Sequence, residues 1–155
     1  MNRFSAMMLI ASTLIPGAAA AQPPQIDIPD SARAAVATVD RFIDALSAGD
    51  IKQAGAELDP QVIILESGGA EHSAAEYLAG HAKDDAEFLK SAQQDLGRRI
   101  ARVSGDLAWI ASESELHGQQ DGKPLTIAST ETMVLQSTDA GWKIVHIHWS
   151  SRARK

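Results

Sequence analysis

Apolar residues early in the chain recur at three- and four-residue spacings, the pattern of a helix with one buried face. Asp30 and Ser31 offer an N-cap just before this stripe, and Gly49 offers a stop just after it. The pattern therefore predicts a first helix that ends at Gly49. Its stripe consists of Val36, Val39, Phe42, Ile43 and Leu46.

Two more helices and one strand are predicted next. Asp50 can cap a short second helix that ends near Pro60. The β-branched run Val62–Leu65, followed by a Ser-Gly-Gly turn, is typical of a short buried strand. Ser73 and Glu76 form a capping box, which predicts a third helix. Its inner stripe is Tyr77, Leu78, His81, Asp85 or Asp84, Phe88 and Leu89.

The hydrophobic period changes to two near residue 95, which predicts strands. Glycines divide this part of the chain, and the short connections favour antiparallel pairing of consecutive strands. Helices collected on one face of such a sheet predict an α+β domain, and a curved sheet around them leaves an open pocket. The predicted strands are 95–103, 106–117, 124–136 and 141–151.

The N-terminus has the parts of a secretory signal peptide: a positive start, an apolar core over residues 7–15 and small residues before an expected cleavage after Ala21 or one residue earlier. An uncleaved membrane anchor is the alternative, but a span needs about 20 apolar residues. We expect a signal peptide at 1–21, a flexible Pro-rich leader at 22–30 and one domain at 31–153, so the protein is expected to be periplasmic or secreted.

Charge and composition narrow the function. Residues 1–21 contain one arginine and no acid, so their removal takes the net charge from −6 to −7. An acidic surface argues against nucleic acids and anionic membranes as partners. The chain has no cysteine, which excludes disulfides, thiol chemistry and cysteine-based metal sites.

Four segments together resemble a known family: VDRFIDALSAGD in the first helix, LESGGAEHSAAEYLAGH, the TETMVL strand and the terminal GWKIVHIHWSSR. They resemble a SnoaL-like protein of the nuclear transport factor 2-like superfamily. The resemblance implies a cone-shaped α+β fold with a curved antiparallel sheet packed on three N-terminal helices, a pocket between them, and frequent homodimers through the sheet.

One activity does not follow from the resemblance, because the superfamily includes isomerases, polyketide cyclases, epoxide hydrolases, dehydratases and binding proteins. Its steroid isomerases use an aspartate base with a tyrosine donor. Tyr77 is the only tyrosine, and it lies on a predicted helix, so no such pair is identified.

Two histidines carry the strongest local signal. On a strand, His146 and His148 point to the same side, together with Trp142, Ile144 and Ser150. Such a pair suits hydrogen bonding in a pocket, metal ligation by neutral imidazole, or a dimer interface. His81 lies on the helical stripe, where an aspartate can orient its ring.

A carboxylate inside an apolar pattern is a further candidate for a site residue. Glu131 shares a strand face with Ile127, Met133 and Leu135, where burial is expected to raise its pKa. Whether it faces the strand histidines depends on hairpin register. The candidate catalytic residues are His81, Glu131, His146 and His148, and the expected ligand pocket adds Glu66, Tyr77 and Trp109.

Three functions remain open at this point. The first is binding of a small organic ligand in a His/Glu-lined cone, with or without cofactor-free acid–base chemistry; no cofactor is expected. The second is a Zn or Cu(II) site formed by His81, His146 and His148. The third is a non-catalytic homodimeric interaction module.

Overall fold

The computed structural model describes residues 23–120 and 122–154. The expected signal peptide lies outside the described residues. The helices are α1 (Arg33–Ala48), α2 (Ile51–Glu57), α3 (Ala74–Ala79) and α4 (His81–Ser91), with a 3₁₀ turn at Asp30–Ala32. The strands are β1 (Gln25–Asp27), β2 (Leu58–Glu66), β3 (Gly69–Glu71), β4 (Gln93–Ser104), β5 (Leu107–Gln120), β6 (Lys123–Thr138) and β7 (Gly141–Ala153).

Most of the predicted helix ends follow the local sequence. The N-cap expected at Asp30 or Ser31 is wrong, because these residues lie in the 3₁₀ turn and no side chain caps α1. Gly49 adopts φ 75° at the end of α1, a left-handed conformation that favours glycine. The Asp50 carboxylate accepts a hydrogen bond from the Gln53 N–H at 2.9 Å and caps α2. At α3, the Ser73 hydroxyl accepts a bond from the Glu76 N–H at 3.1 Å, and the Glu76 carboxylate accepts one from the His72 N–H at 2.8 Å. The predicted capping box is confirmed.

The predicted third helix is divided at Gly80. This residue has φ −118° and ψ −103°, which are not helical values, so α3 ends before it and α4 begins after it. The described part of the chain therefore has four α-helices rather than the three predicted. Tyr77 on α3 is fully buried.

The seven strands form one mixed sheet in the order β1-β4-β5-β6-β7-β2-β3. The meander from β4 to β7 is antiparallel as predicted. Part of the leader is ordered, contrary to the expectation of a flexible arm: β1 pairs in parallel with β4, and Asp27 forms an ion pair with Arg102 at 2.6 Å. The turn predicted after β2 continues into the short strand β3, which pairs back on β2.

The two faces of the sheet differ because the helices cover only one of them. We call the helix-covered side the inner face and the other side the outer face. A row of inner-face side chains on four neighbouring strands is fully buried against the helices. This core row consists of Ile110, Met133, Ile147 and Ile64.

A bulge in β7 changes which residues face inward. The β6–β7 register shifts between Val134 and Leu135, which pair with His146 and Ile144 and leave Val145 as the extra residue. Ile144 and Ile147 are both fully buried as a result. The expectation from simple alternation, that Ile144 shares a face with His146, is therefore wrong.

Within the described part of the chain, no helix is both long enough and apolar enough to cross a membrane.

Candidate functional site

An open cavity lies between the inner face of the sheet and helices α1 and α4. It encloses about 110 Å³. Its walls combine apolar side chains with three carboxyl groups and small hydroxyls. The lining residues are Ile43, Glu66, Asp85, Phe88, Leu89, Gln94, Leu116, Ile127, Ser129, Glu131, Trp149 and Ser151.

The cavity forms where bulky inner-face residues give way to small ones. Successive inner-face rows on a sheet are separated by two residues, or about 6.6 Å along each strand. Next to the core row lies a polar row of Ser112, Glu131, Trp149 and Glu66. Beyond it lies a serine row of Ser114, Ser129 and Ser151. Serines leave space that leucine or isoleucine side chains would fill.

Glu131 is held in the middle of the polar row by two donors. The Trp149 indole N–H donates to its Oε2 at 2.9 Å, and the Ser112 hydroxyl donates to its Oε1 at 3.3 Å. The strand register makes both contacts possible, because Glu131 pairs directly with Ser112 on one side and Trp149 on the other. The carboxyl is thus fixed at the cavity wall.

Arg99 lies on the side of Ser112 that faces away from Glu131, since it pairs with Ser112 from the neighbouring strand β4. The Arg99 Nε donates to the Ser112 Oγ at 3.1 Å, and its Nη1 pairs with the Asp40 carboxylate of α1 at 2.6 Å. The Arg99 side chain is only 12% exposed, while that of Asp40 is half exposed. A chain of polar contacts therefore connects the surface of α1 to Glu131.

Opposing effects act on the ionisation of Glu131. Burial raises the pKa of its carboxyl above the ordinary value for glutamate. The hydrogen bond from Trp149, the positive charge of Arg99 and the hydrogen bond from Ser112 lower it in part. Burial dominates, so the protonated form persists to a higher pH than for an exposed glutamate.

A second carboxyl group lies at the edge of the cavity near α4. The hydroxyl of the fully buried Tyr77 donates to the Asp85 Oδ2 at 2.8 Å. Burial raises the pKa of Asp85, and the hydrogen bond from Tyr77 partly opposes this. Burial also raises the pKa of Glu66, and the negative charge of Asp85 adds to the increase.

His81 begins α4 and forms an ion pair with Glu71 of β3. The hydrogen bond and negative charge of Glu71 raise the pKa of His81. An aspartate was expected to orient this ring, but Asp85 takes the Tyr77 hydroxyl instead. Glu71 can contact His81 because it lies on β3, which turns back and pairs with β2. The sequence pattern did not predict β3.

The predicted pocket residues are divided between the two faces. Glu66 and Glu131 line the cavity. Tyr77 contacts the lining residue Asp85, whereas His81 contacts Glu71, and neither of these two is part of the lining. The other three lie on the outer face, because their strand neighbours are the inward-pointing residues. These three are Trp109, which is 43% exposed, His146, whose Nδ1 lies 2.9 Å from the Ile63 carbonyl oxygen, and the exposed His148.

The same division bears on the metal hypothesis. The sheet separates His81 on the inner side from His146 and His148 on the outer side, so one ion cannot contact all three imidazoles within a chain. In the described ranges, no group of three or more His, Asp or Glu side chains is arranged to hold a metal ion.

Comparison with known proteins agrees with this architecture. The family model of the SnoaL-like domain matches residues 35–154. The chain belongs to the SnoaL-like family. Its curved, unclosed mixed sheet with helices on one side is the nuclear transport factor 2-like fold. No curated protein matches the sequence.

Solved structures resemble this SnoaL-like domain over most of their length. A protein from Shewanella frigidimarina, provisionally assigned as a ketosteroid isomerase, is 31% identical; the match covers 81% of this chain and 99% of that one, with a TM-score of 0.72. A provisionally assigned dehydratase from Streptomyces avermitilis is 19% identical, with 80% and 98% covered and a TM-score of 0.68. The CaMKII hub of S. rosetta is 23% identical, with 77% and 95% covered and a TM-score of 0.64. The last two show the fold alone.

Sequence reasoning missed the residues that hold Glu131. Ser112 alternates with Ile110 and Ser114 along β5, and this break in an apolar inner face was a readable signal. Arg99 and Asp40 gave no such signal, because their contact joins residues 59 positions apart.

Proposed function

We propose that this SnoaL-like domain binds a small, largely apolar organic molecule in the cavity and that Glu131 exchanges a proton with it. The observation that carries the proposal is the partly buried carboxyl of Glu131, fixed by Trp149 and Ser112 at the wall of an otherwise mainly apolar cavity. A carboxyl whose pKa is raised above the ordinary value for glutamate, and which is fixed at a cavity wall, is suited to acid–base work.

The size of the cavity limits the ligand. An apolar cavity of about 150 Å³ accommodates benzene, and typical ligand pockets exceed about 300 Å³. With about 110 Å³ enclosed and an open mouth, the site suits one ring or the end of a longer molecule. Phe88, Leu89 and Ile127 supply apolar contacts, and the rest of the ligand extends through the mouth.

A second proton-transfer group supports a complete reaction. Asp85, held by Tyr77, lies at the same cavity as Glu131. Isomerisation, dehydration and cyclisation each involve removal of one proton and delivery of another, and two carboxyl groups at one cavity can divide these steps. We assign the domain to this class of cofactor-free reactions, which includes the isomerase assignment of the Shewanella relative.

Binding is tested with a panel of uncharged monocyclic compounds and ¹⁵N-labelled protein. The probe is the indole N–H signal of Trp149, identified by its loss in Trp149→Phe. A binding compound shifts this signal, and Ser129→Leu abolishes the shift by filling the serine row. Thr130→Leu is the matched control, since the next residue of β6 lies on the outer face. A panel without a single binder contradicts the proposal.

Proton transfer is tested by deuterium exchange at the carbons next to the carbonyl of cyclohexanone, followed by NMR. The wild-type protein is expected to accelerate exchange, and Glu131→Gln to lose at least about tenfold, in line with the typical contribution of a positioned acid–base group. Glu113→Gln removes an exposed outer-face carboxylate and should behave as wild type. Equal rates in both variants would leave a binding protein without this chemistry.

The outer face favours a second function, self-association. Three large apolar side chains there are well exposed: Ile63 at 44%, Trp109 at 43% and Leu65 at 37%. An apolar sheet face of this kind is suited to pairing with a second copy. Sedimentation of the wild type should give a dimer, and Leu65→Asp a folded monomer; a monomeric wild type refutes the idea.

We also propose that residues 1–21 direct export of the protein and are then removed by cleavage. The support is the N-terminal pattern described above. Intact mass of protein recovered from outside the cytoplasm should correspond to a chain that starts at Gln22 or Ala21. A mass that includes Met1 contradicts cleavage.

A further inference from the structure

We propose that Arg99 and Ser112 fix Glu131 as a hydrogen-bond acceptor, so that the cavity takes an uncharged ligand that presents a hydrogen-bond donor or an acidic proton to this carboxylate. The inference rests on the proposed function and narrows its substrate class. Arg99 and Ser112 act as positioning residues, since neither of them lines the cavity.

The direction of the hydrogen bonds follows from the chemistry of the groups. A guanidinium has only donors, so the Ser112 oxygen must accept from Arg99 Nε at 3.1 Å. The single hydroxyl proton of Ser112 is then available for Glu131 Oε1 at 3.3 Å. The contact of Arg99 with Asp40 at 2.6 Å anchors the guanidinium, which keeps this direction fixed.

The other carboxyl oxygen receives a donor as well. An indole N–H has no acceptor capacity, so the bond from Trp149 to Glu131 Oε2 at 2.9 Å runs in one direction only. An ionised carboxylate offers about four lone-pair positions, and the protein uses two of them. The remaining positions can accept only from a ligand that donates.

The acidic groups that line the cavity exclude an anionic ligand. The ionisable groups among the cavity-lining residues are Glu66, Asp85 and Glu131, and no lysine or arginine lines the cavity in the described residues. Arg99 lies behind Ser112 and is paired with Asp40. A carboxylate or phosphate ligand would be desolvated beside three acids, with no cation in the cavity lining to pair with it, which is strongly unfavourable.

Phenol and toluene test this inference, because they differ by a hydroxyl in place of a methyl group. Both affinities are measured from the shift of the Trp149 indole N–H signal, and the quantity of interest is their ratio. Replacement of Glu131 by Gln is expected to lower the phenol-to-toluene ratio about tenfold, since a neutral acceptor replaces a charged one. Benzoate is expected not to bind.

Ser112→Ala isolates the positioning role. It should lower the same ratio because Glu131 loses the donor that fixes it. Ser150→Ala is the matched control: Ser150 is exposed on the outer face of β7 and pairs with Thr130 of β6 rather than with Glu131. Equal phenol-to-toluene ratios in the two serine variants, measured on equally stable proteins, would overturn the positioning role of Ser112.

The outcomes separate this inference from the proposed function. A ratio that Glu131→Gln leaves unchanged, or benzoate bound as tightly as phenol, overturns the inference while binding in the cavity stands. Failure of phenol, toluene and the whole uncharged panel to shift the Trp149 signal overturns both.

Discussion

Neighbouring residues of the same strands have different roles on the inner and outer faces of the sheet. On β7, Trp149 turns inward and donates to Glu131, while His148 turns outward and is exposed. On β5, Ser112 turns inward to the same carboxyl, while Trp109 lies on the outer face. The residue types alone suggest the reverse, with histidines in the pocket and tryptophan in the core.

The position of a residue in the sheet, more than its type, decides its role here. A serine and a glutamate become site residues because they lie in one cross-strand row with a tryptophan. His146 and His148 do not reach the cavity, because the bulge at Val145 keeps Ile144 and Ile147 on the inner face. The two histidines therefore point to the outer face. Substitutions of adjacent residues can therefore test the contrast between the faces.

The largest expected effect comes from adjacent residues of β7. Ile147 is fully buried in the core row, so Ile147→Ala should lower the free energy of unfolding by about 2–5 kcal/mol. His148→Ala on the outer face should change it by no more than about 0.5 kcal/mol. Urea denaturation of both variants measures the difference. Similar losses would show that the outer face is covered and buried in solution.

A smaller contrast involves two tryptophans. Trp149→Phe keeps a ring near Phe42, whose ring lies 6.2 Å away, but removes the donor to Glu131. Loss of one partner of a partly buried carboxyl should cost at least about 1 kcal/mol of unfolding free energy and raise the pKa of Glu131 further. Trp109→Phe should cost less than about 0.5 kcal/mol. An equal cost in thermal or urea unfolding would contradict the inner-face role of Trp149.

The smallest expected effect is a pH dependence at the edge of the inner face. Glu71 raises the pKa of His81, so protonated His81 is favoured in the folded state. Its contribution to stability is present in full below the ordinary histidine pKa of about 6.5 and is lost as pH rises through the raised value. The stability difference between wild type and His81→Gln should shrink over that rise.

Glu71→Gln is the matched change for this prediction, since it removes the other partner of the pair. It should abolish the same pH-dependent difference when both variants are followed by urea denaturation across the pH range. A wild-type advantage over His81→Gln that grows with pH would contradict the assigned direction.

Much of the fold was predictable because local rules act over short distances. The capping box at Ser73 and the stop at Gly49 follow from a few neighbouring residues, and the antiparallel meander follows from alternation and short turns. The short strands β1 and β3 were not predictable in this way, because three residues carry too little pattern and gain their structure by pairing with β4 and β2.

For the candidate site, the pattern along β6 was enough to place Glu131 on one face with Met133 and Leu135, since alternation along one strand is a local property. The residues that contact this carboxyl follow from the way the strands pair in the folded sheet. Ser112, Trp149 and Arg99 reach it through strand register and a bulge, and a shift of one residue reverses the face of every side chain on a strand. Register is set by the packing of the whole sheet against its helices, and no single segment contains it.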